Sequence, residues 1–400
     1  MITMTAAGLL ALQEPSTEIV HEVTIGAPVN KDISRLVTSL PAMRQSFKPE
    51  SRSPEVSRAS IICDNSDDDP SVFPFSEWDA SSMLNGVDWH GAKVTIKMGP
   101  RLPNGSIETI NVYKGLLHDV VVSDRAKAEL RLSDPLTALR KDRISPPLIG
   151  TGFDRSTPAD MVYSLLIQAG YASDLDTASF AAASIQEDLA GALFPDVPLT
   201  DATWWSVIQA ALKHSNAGIR WTQDGLIEYF YFRPVADAAV FQLHAERNLL
   251  SLKVNRDSGA VVNSVQVEKD SGATVVTTLT DSDSIAALGT RQQTYTYDFT
   301  ESFPSTQAAA EQMWYQSRPN RRLTVVADLS AMVLEYGDPV SVTYPALGLS
   351  AQKAVVFSRT IDKDRRQVTL ELVNSFLDNA DWIFTDNAQA YDAAPSKVFW

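Results

Sequence analysis

The chain has 400 residues, enough for roughly two to four domains. Hydrophobic residues make up 44% of the sequence and charged residues 21%, which is a globular composition and excludes a disordered chain. The formal net charge is −15, from 34 basic and 49 acidic residues. This balance argues against a protein that grips nucleic-acid phosphates, because such proteins carry a basic surface.

The single cysteine, Cys63, excludes a disulfide within the chain and a site built from several cysteines. Residues 1–12 include a short apolar stretch without a basic flank, which is not the pattern of a signal peptide. No apolar run approaches the roughly 18 residues of a membrane helix. We therefore expect synthesis in a reducing cytoplasm and no stable membrane insertion.

The first part of the chain predicts an arm followed by a β domain. Residues 1–17 are small and weakly patterned, which indicates an N-terminal arm that is flexible or bound to a partner. Residues 18–150 alternate apolar and polar side chains, with an Asn-Gly turn signal at 103–105. The predicted strands are 21–25, 59–63, 92–98, 107–113, 116–122 and 128–132.

Residues 151–245 predict a helical insert that ends in a β-hairpin. Thr157 and Pro158 form a helix start, and Gly170 is the expected stop. A second helix is expected over 177–188 and a third from residue 201. The hairpin turns at Asp224-Gly225. The third helix should bury one face, formed by Trp204, Val207, Ile208, Ala211 and Leu212.

Residues 246–375 predict a second β domain of similar size, and 376–400 an aromatic C-terminal tail without periodicity. A helix is expected over 305–317, before Arg318-Pro319. The predicted strands are 249–254, 261–268, 273–279, 292–299, 322–329, 339–344, 353–361 and 367–373. The fold class is therefore mainly β with a helical insert: two antiparallel β-barrel or β-sandwich domains separated by a small helical domain.

The search for an active site yields no assigned catalytic, cofactor-binding or metal-binding residue. The five histidines are His21, His90, His118, His214 and His244, and none belongs to a zinc-protease pattern. The sequence also has no nucleophile elbow, dinucleotide-binding or phosphate-binding loop. His118-Asp119 is best interpreted as a half-exposed pair within a strand, since acid–base catalysis needs further geometry.

Two segments allow a binding interpretation beside a structural one. The acidic loop 64–69 resembles an oxygen-rich cation loop, but Asp69 stands where a calcium loop has glycine and Phe75 where it has glutamate, so a solvated turn is the alternative. Trp204-Trp205 could form a sugar platform. Since adjacent helical residues face different ways, we expect one ring in the core and the other near a domain interface.

Acidic charge is concentrated in two regions. Residues 59–92 and 156–212 each hold seven acidic residues and no lysine or arginine. Large patches of one sign set long-range fields, but a solvated acidic surface is common and is the favoured explanation.

Several segments resemble, in order along 20–375, the parts of phage tail hub proteins. The segments that carry the resemblance are 113–119, 128–132, Asp134, Leu136 and Leu139 for the end of the first domain; 158–166, Gly170 and 176–180 for the insert; and 248–256, 263–267, 337–342, 357–361 and 367–372 for the next β domain. No lysozyme-like insert and no cysteine cluster is present. The family has no catalytic motif, so no catalytic residue is carried over.

The resemblance implies a structural virion protein at the tail tip, the baseplate hub, without enzyme activity or cofactor. In such a hub a homotrimer contributes six tube-like β domains around a pore and adapts the sixfold tail tube to a threefold spike or fibre. The implied partners are further copies of the chain, distal tail or tube proteins, the central spike or fibre, and phage DNA in transit without specific binding. The alternatives are a distal tail ring, a carbohydrate-binding adhesin and a cell-wall hydrolase.

Overall fold

The protein is mainly β, with a small helical domain between two β domains, as the sequence predicted. The computed structural model describes residues 4–48, 53–54, 58–66, 74–76, 79–123, 126–140, 142, 144, 156–189, 203–215, 217–231, 238–257, 261–269, 274–297 and 320–374. In these residues, no helix is long and apolar enough to cross a membrane.

The first β domain is preceded by a helix and followed by a short one. Its strands alternate buried and less buried residues, because one face of each strand covers the core. The elements are α1 (Ala6–Gln13), β1 (Ile19–Ile25), β2 (Lys31–Asp32), β3 (Val37–Ser39), β4 (Met43–Lys48), β5 (Ser53–Pro54), β6 (Arg58–Asp64), β7 (Lys93–Pro100), β8 (Ile110–Val122), β9 (Lys127–Ser133) and α2 (Leu136–Leu139).

The helical insert packs three helices against one hairpin. Thr157 caps the first helix by accepting a hydrogen bond from Asp160 N at 3.1 Å, and Gly170 adopts a φ of 94° where the helical segment turns away. The predicted face of the third helix is buried in the insert core. The elements are α3 (Pro158–Leu166), α4 (Thr177–Leu189), α5 (Trp204–Ser215), β10 (Ala217–Trp221) and β11 (Ile227–Tyr231).

The second β domain contributes six strands to the large sheet and carries a separate three-stranded sheet. In the small sheet β14 lies between β15 and β16, and it pairs in parallel with β16. The elements are β12 (Phe241–His244), β13 (Leu249–Asp257), β14 (Ser264–Lys269), β15 (Thr274–Thr280), α6 (Ser282–Leu288), β16 (Gln292–Tyr297), β17 (Asn320–Asp328), β18 (Pro339–Tyr344), β19 (Leu349–Asp362) and β20 (Gln367–Asn374).

The two β domains are curled half-barrels that share one continuous sheet of fifteen strands. The strand order is β13-β17-β20-β19-β4-β6-β9-β8-β7-β1-β2, with β18 and β12 attached at β19, β3 at β6 and β5 at β4. A single hydrophobic core cluster draws residues from both domains. The pairing of β4 with β19 is thus the place where one domain continues into the other.

The structure corrects four expectations. Residues 6–13 are not a flexible arm but a helix, because Thr5 caps it and Leu12 is buried in the core of the β domains. The strands predicted at 107–113 and 116–122 are the single strand β8, which bends at a bulge instead of breaking. The sheets contain two parallel pairings, β12 with β18 and β14 with β16. Several short elements were not predicted, among them β4, β12 and α6.

Some predictions are not decided by the fold. The helix expected at 305–317 and the tail 376–400 lie outside the described residues. The domain boundaries at 17, 150, 245 and 375 stay predictions.

Candidate functional site at the junction of three domains

Strand β4 joins the two β domains edge to edge. Its residues pair with β19 in antiparallel register, and Gln45 stands opposite Arg359. Both side chains are buried, with 2% of Gln45 and 1% of Arg359 exposed. A fully buried arginine is rare unless its donors are hydrogen-bonded, so the partners of Arg359 explain how its side chain can be buried.

The guanidinium of Arg359 donates hydrogen bonds to groups of both β domains. Its Nη1 donates to the carbonyl oxygens of Met332, at 3.0 Å, and Leu334, and its Nη2 donates to Gln45 Oε1 and to Val112 O at 3.2 Å. Gln45 and Val112 belong to the first β domain, and the other two acceptors to the turn after β17. One buried guanidinium therefore links the two β domains by hydrogen bonds that are shielded from solvent.

The hairpin of the insert enters the same place through Arg220. This side chain is buried, and its Nη1 donates to Tyr336 O at 2.6 Å and to Asp338 Oδ1 at 3.0 Å. Its Nε donates to Glu228 Oε2, across the hairpin, at 2.8 Å. The insert is thereby attached to the second β domain by a buried ion pair.

The turn of the hairpin is anchored by Gln223. Its backbone N donates to Glu335 Oε1 at 2.5 Å, and its Nε2 donates to Met332 O at 3.1 Å. The backbone N of Glu335 in turn donates to Asp338 Oδ2 at 3.0 Å. The segment 332–338 therefore receives donors from Arg359 of β19, from the insert and from its own backbone.

The charges of this site nearly cancel, with two arginines facing three carboxylates. Burial alone would lower the pKa of Arg220, but the carboxylates of Glu335, Asp338 and Glu228 raise that pKa well above its ordinary value. Burial raises the pKa of Glu335, against the effect of Arg220. Burial lowers the pKa of Arg359 to about 10, which leaves it charged at neutral pH.

Aromatic rings seal the charged groups from one side. Phe47 of β4, Phe230 of β11 and Tyr336 of the second domain meet with ring centroids 5.5 to 6.0 Å apart. The Arg220 guanidinium lies 5.6 Å from the Phe230 ring centre. Each domain thus supplies one ring. We call the whole set the three-domain junction: Gln45, Phe47, Arg220, Gln223, Glu228, Phe230, Glu335, Tyr336, Asp338 and Arg359.

A second set of contacts attaches the insert to the outer face of the first domain. Trp221 Nε1 donates to Lys114 O at 2.8 Å, Lys93 Nζ lies 2.6 Å from Asp174 Oδ1, and Asn111 Nδ2 donates to Asp224 Oδ1 at 2.9 Å. Two of these contacts involve Trp221 and Asp224, the sequence neighbours of Arg220 and Gln223, and so act on the same hairpin. Together with the junction they fix the insert against both β domains.

The junction is suited to holding domains and poorly suited to catalysis. Its charged groups are buried and already paired, whereas an acid, base or nucleophile must reach a substrate. In the part of the chain that the structure describes, no group of three or more histidines, cysteines or carboxylates could hold a metal ion. The junction pairs buried charged groups across three domains, although Arg359 Nε, Gln45 Nε2, Gln223 Oε1 and the Tyr336 hydroxyl have no hydrogen-bond partner among the described residues.

A buried carboxyl group, Glu187, organises the interior of the insert. Its Oε2 accepts from Ala159 N, at the start of α3, at 2.7 Å, and its Oε1 accepts from the Tyr229 hydroxyl at 2.7 Å. The Tyr229 hydroxyl also lies 2.6 Å from Ser215 Oγ. Burial raises the pKa of Glu187 to about 7 despite these donors. The carboxyl links α4, α3, α5 and β11 and is enclosed by them.

The residues singled out from the sequence lie apart from the junction. His118 is the exposed bulge residue of β8, and Asp119 Oδ2 lies 3.3 Å from Arg131 Nη1, which fits the strand interpretation. Cys63 is buried, and burial raises the pKa of its thiol to about 12. Asp64 accepts from the backbone N of Ser66 at 2.8 Å, and positions 67–69 of the acidic loop lie outside the described residues.

Both tryptophans of the suggested sugar platform are buried, Trp204 with 9% and Trp205 with 7% exposed. Trp205 lies under the guanidinium of Arg140, 5.1 Å from its ring centre, at the boundary with the first domain. Trp204 belongs to the insert core, as does Trp205. Stacking on a sugar needs an exposed ring face, and neither ring offers one.

The architecture is similar to that of several known tail proteins, although the sequence is not. No protein-family model and no curated protein sequence matches the chain. The tail protein from Neisseria meningitidis MC58 is similar in structure, with a TM-score of 0.57, 12% identity, and coverage of 90% of this chain and 97% of that chain. The 43 kDa tail protein of prophage MuSo2 from Shewanella oneidensis gives a TM-score of 0.55 at 12% identity, covering 89% of this chain and 98% of that chain.

A third structure, the prophage tail protein gp18 from Listeria monocytogenes EGD-e, gives a TM-score of 0.50 at 10% identity, covering 93% of this chain and 98% of that chain. The chain has the fold of these tail proteins. The similarity covers nearly their whole length and includes both β domains and the insert. At such low identity it establishes a shared architecture, and side-chain roles must come from this chain's own contacts.

Sequence reasoning missed the junction. Its only local signal is an arginine inside an apolar strand, as in Phe357-Ser358-Arg359-Thr360-Ile361 and Ile219-Arg220-Trp221. A charged residue at such a position is either on the exposed face or buried with partners. The partners of Arg359 lie 25 to 314 residues away in the sequence, so they could not be found from the pattern.

Proposed function

We propose that this chain is a structural component of a phage-like tail, the baseplate or tail-tip hub. As a homotrimer it would surround a pore with six β domains and join the sixfold tail tube to a threefold central spike or fibre. The pore would form part of the DNA ejection channel. The chain would act without catalysis and without a cofactor.

One observation carries the proposal: two half-barrels in one chain share a continuous sheet through β4 and β19. Three copies of a chain with two β domains give six β units, and this matches a sixfold ring only if the two units keep a fixed relative orientation. The three-domain junction supports that fixation, because its buried arginines donate hydrogen bonds from the second β domain to the first and from the insert to the second. The fold similarity to tail proteins supports the same conclusion.

The acidic composition suits the wall of a DNA channel. A trimer carries 3 × −15, or −45, formal charges. Affinity for DNA grows with the number of phosphates neutralised by lysine and arginine, so an acidic wall would let DNA pass without retaining it. We expect the chain to bind duplex DNA poorly even at low salt. A wall whose narrowest part is lined by lysine and arginine would contradict this part of the proposal and leave the hub assignment intact.

The proposed partners follow from the place of a hub in a tail. They are further copies of this chain, a distal tail or tube protein on one side, and a spike or fibre protein on the other. The proposed location is the virion tail tip, after synthesis in the host cytoplasm.

The decisive experiment is the assembly state of the purified chain with and without its neighbours. Static light scattering should give a trimer, weakly associated when isolated and stable when the adjoining tail proteins are added. Class averages from electron microscopy should show threefold symmetry with six similar lobes. A stable sixfold ring would instead favour a distal tail protein, and a chain that stays monomeric beside its neighbours would contradict the hub.

The absence of catalysis needs its own test. Peptidoglycan and polysaccharide substrates should show no release of sugar or peptide fragments. Reproducible release that is abolished by replacing a single Asp or Glu would favour the cell-wall hydrolase. Saturable binding of a carbohydrate without turnover would favour the adhesin.

A further inference from the structure

The N-terminal segment 5–21 lies across both β domains, and we call it the N-terminal clasp. Its helix α1 packs against β7 of the first domain and against the turn Leu329–Val333 of the second. At its start, the backbone N and the hydroxyl of Thr5 both donate to the carboxylate of Glu108, each at 2.6 Å. Leu12 is buried in the core that the two domains share.

The other end of the clasp is held by the turn between β19 and β20. Arg366 donates through Nη2 to Glu14 O at 2.9 Å and through Nη1 to Thr17 O. The guanidinium thus sits at the carbonyl end of α1, where a positive charge is favourable. In the same turn, Lys363 Nζ lies 2.7 Å from His21 Nδ1. Arg366 and Lys363 of the second domain therefore contact the N-terminal segment just before and within β1.

The contact between lysine and histidine requires one protonation state. A lysine ammonium can only donate, so His21 Nδ1 must carry no proton and must accept. The proton then lies on Nε2, which is buried and has no hydrogen-bond partner among the described residues. A second proton on the ring would place two cations within a hydrogen-bond distance of each other. Burial, and next the charge of Lys363, lower the pKa of His21 accordingly.

The other charged groups around His21 do not offset this repulsion. Glu22 points to the opposite face of β1, where it lies 3.7 Å from Lys97. Glu18 is paired with Arg101 at 2.6 Å, and Met98, the cross-strand partner of His21 on β7, is uncharged. Helix α1 has no charged residue. In the turn, burial lowers the pKa of Lys363, the carboxylate of Asp364 opposes that shift, and Arg366 adds positive charge.

We propose that the pair His21–Lys363 makes the N-terminal clasp releasable by acid. At neutral pH the imidazole accepts from the lysine and holds the turn against β1. On protonation the two cations repel, the contact between the turn and β1 opens, and the support of α1 at its C-terminal end is weakened. The bonds from Arg366 to the backbone carbonyls of Glu14 and Thr17 do not titrate in this range, so they remain and the release is local.

The first test is the titration of His21 in the full chain. With ¹³C-labelled histidine, the His21→Gln variant assigns one of the five histidine signals. His21 should titrate below the ordinary value of about 6.5. In the Lys363→Met variant its pKa should rise, because a neighbouring cation is gone. A His21 pKa at or above the ordinary value in the wild-type chain would overturn the proposal without any variant.

The second test measures release directly, by hydrogen exchange followed by mass spectrometry at about pH 7.5 and pH 5, on either side of an ordinary histidine pKa. After correction for intrinsic exchange rates, amides of 8–21 should lose protection at the lower pH, because protonation of His21 opens its contact with Lys363. Lys363→Met should remove this pH dependence, and Arg366→Met should weaken protection equally at both pH values.

The two variants separate the proposed cause from its rivals. Equal protection of the wild-type clasp at both pH values would refute an acid release. A loss of protection that persists in Lys363→Met would show that acid acts through other groups, and would refute the role of the pair. Loss of protection across all strands would mean general acid unfolding and would equally refute a local clasp.

Discussion

Replacing Arg359 with methionine should uncouple the two β domains. Methionine is similar in length but removes all the donated hydrogen bonds of this side chain, so Gln45 Oε1 and Val112 O lose this donor, while Met332 O and Leu334 O keep only Gln223 Nε2. Removing one partner of a buried charged network costs about 3–5 kcal/mol. Burial lowers the pKa of Arg359, which means that the burial is itself unfavourable. We therefore expect a loss of unfolding free energy at the lower end of that range, about 3 kcal/mol.

The measurement is urea unfolding of Arg359→Met beside Arg365→Met. Arg365 lies in the turn before β20, and 80% of its side chain is exposed, so its replacement should change stability by less than about 0.5 kcal/mol. Hydrogen exchange should locate the effect of Arg359→Met in β4, β19 and the turn 329–338. The first and second β domains should then unfold in separable steps, which the wild-type chain should not show.

The reasoning fails if Arg359→Met unfolds at the same urea concentration as Arg365→Met. Buried ion pairs can be exchanged for apolar side chains without loss, and such a result would mean that packing alone joins the domains. The variant Gln45→Leu and the double variant complete a thermodynamic cycle. A coupling free energy of about 1 kcal/mol or more between the two positions is expected, because Gln45 Oε1 accepts directly from Arg359.

Three further predictions concern single side chains. Because the pKa of Glu187 is raised to about 7, this group stabilises the folded insert fully below the ordinary carboxyl pKa, and the stabilisation is lost as the pH rises through about 7. The Glu187→Gln variant should therefore lose this pH dependence of the unfolding free energy, which amounts to up to about 3 kcal/mol. Gly218→Ala should lower stability by about 1–3 kcal/mol in thermal unfolding, because its Cβ would lie 2.8 Å from both Phe230 Cζ and Phe47 Cε2, and the added change Phe47→Leu should recover part of that loss. Cys63 should react with a thiol reagent only after unfolding, since it is buried and its pKa is raised to about 12; rapid labelling of the native chain would contradict its position in β6.

The secondary structure of most of this chain was predictable because it depends on neighbouring residues. Strict alternation identified β7, β9 and β20, and the pair Thr157-Pro158 identified the start of α3. The hairpin of the insert was marked by Asp224-Gly225. Each signal lies within a few residues of the element it specifies. The fold class, two β domains around a helical insert, follows from the order of these elements.

Local signals failed where an element is defined by what it packs against. Helix α1 has little contrast between its faces, and only the shared core that receives Leu12 and the acceptor Glu108 explain its docking. Strand β4 is short and partly polar, and it becomes a strand because β19 pairs with it. In such segments the energy comes from partners distant in sequence, against which intrinsic propensity is a weak guide.

The sequence by itself determined the elements, their order and the acidic balance of the chain, because alternation, capping residues and charge are properties of neighbouring positions. Only the tertiary structure decided that the two half-barrels are one sheet and that Arg359, Arg220 and Glu335 meet inside it. Gln45 and Arg359 are 314 residues apart, and nothing in either segment records the other. A buried charge is stable only beside partners that the completed fold brings to it, so its role could be recognised only after folding had placed them together.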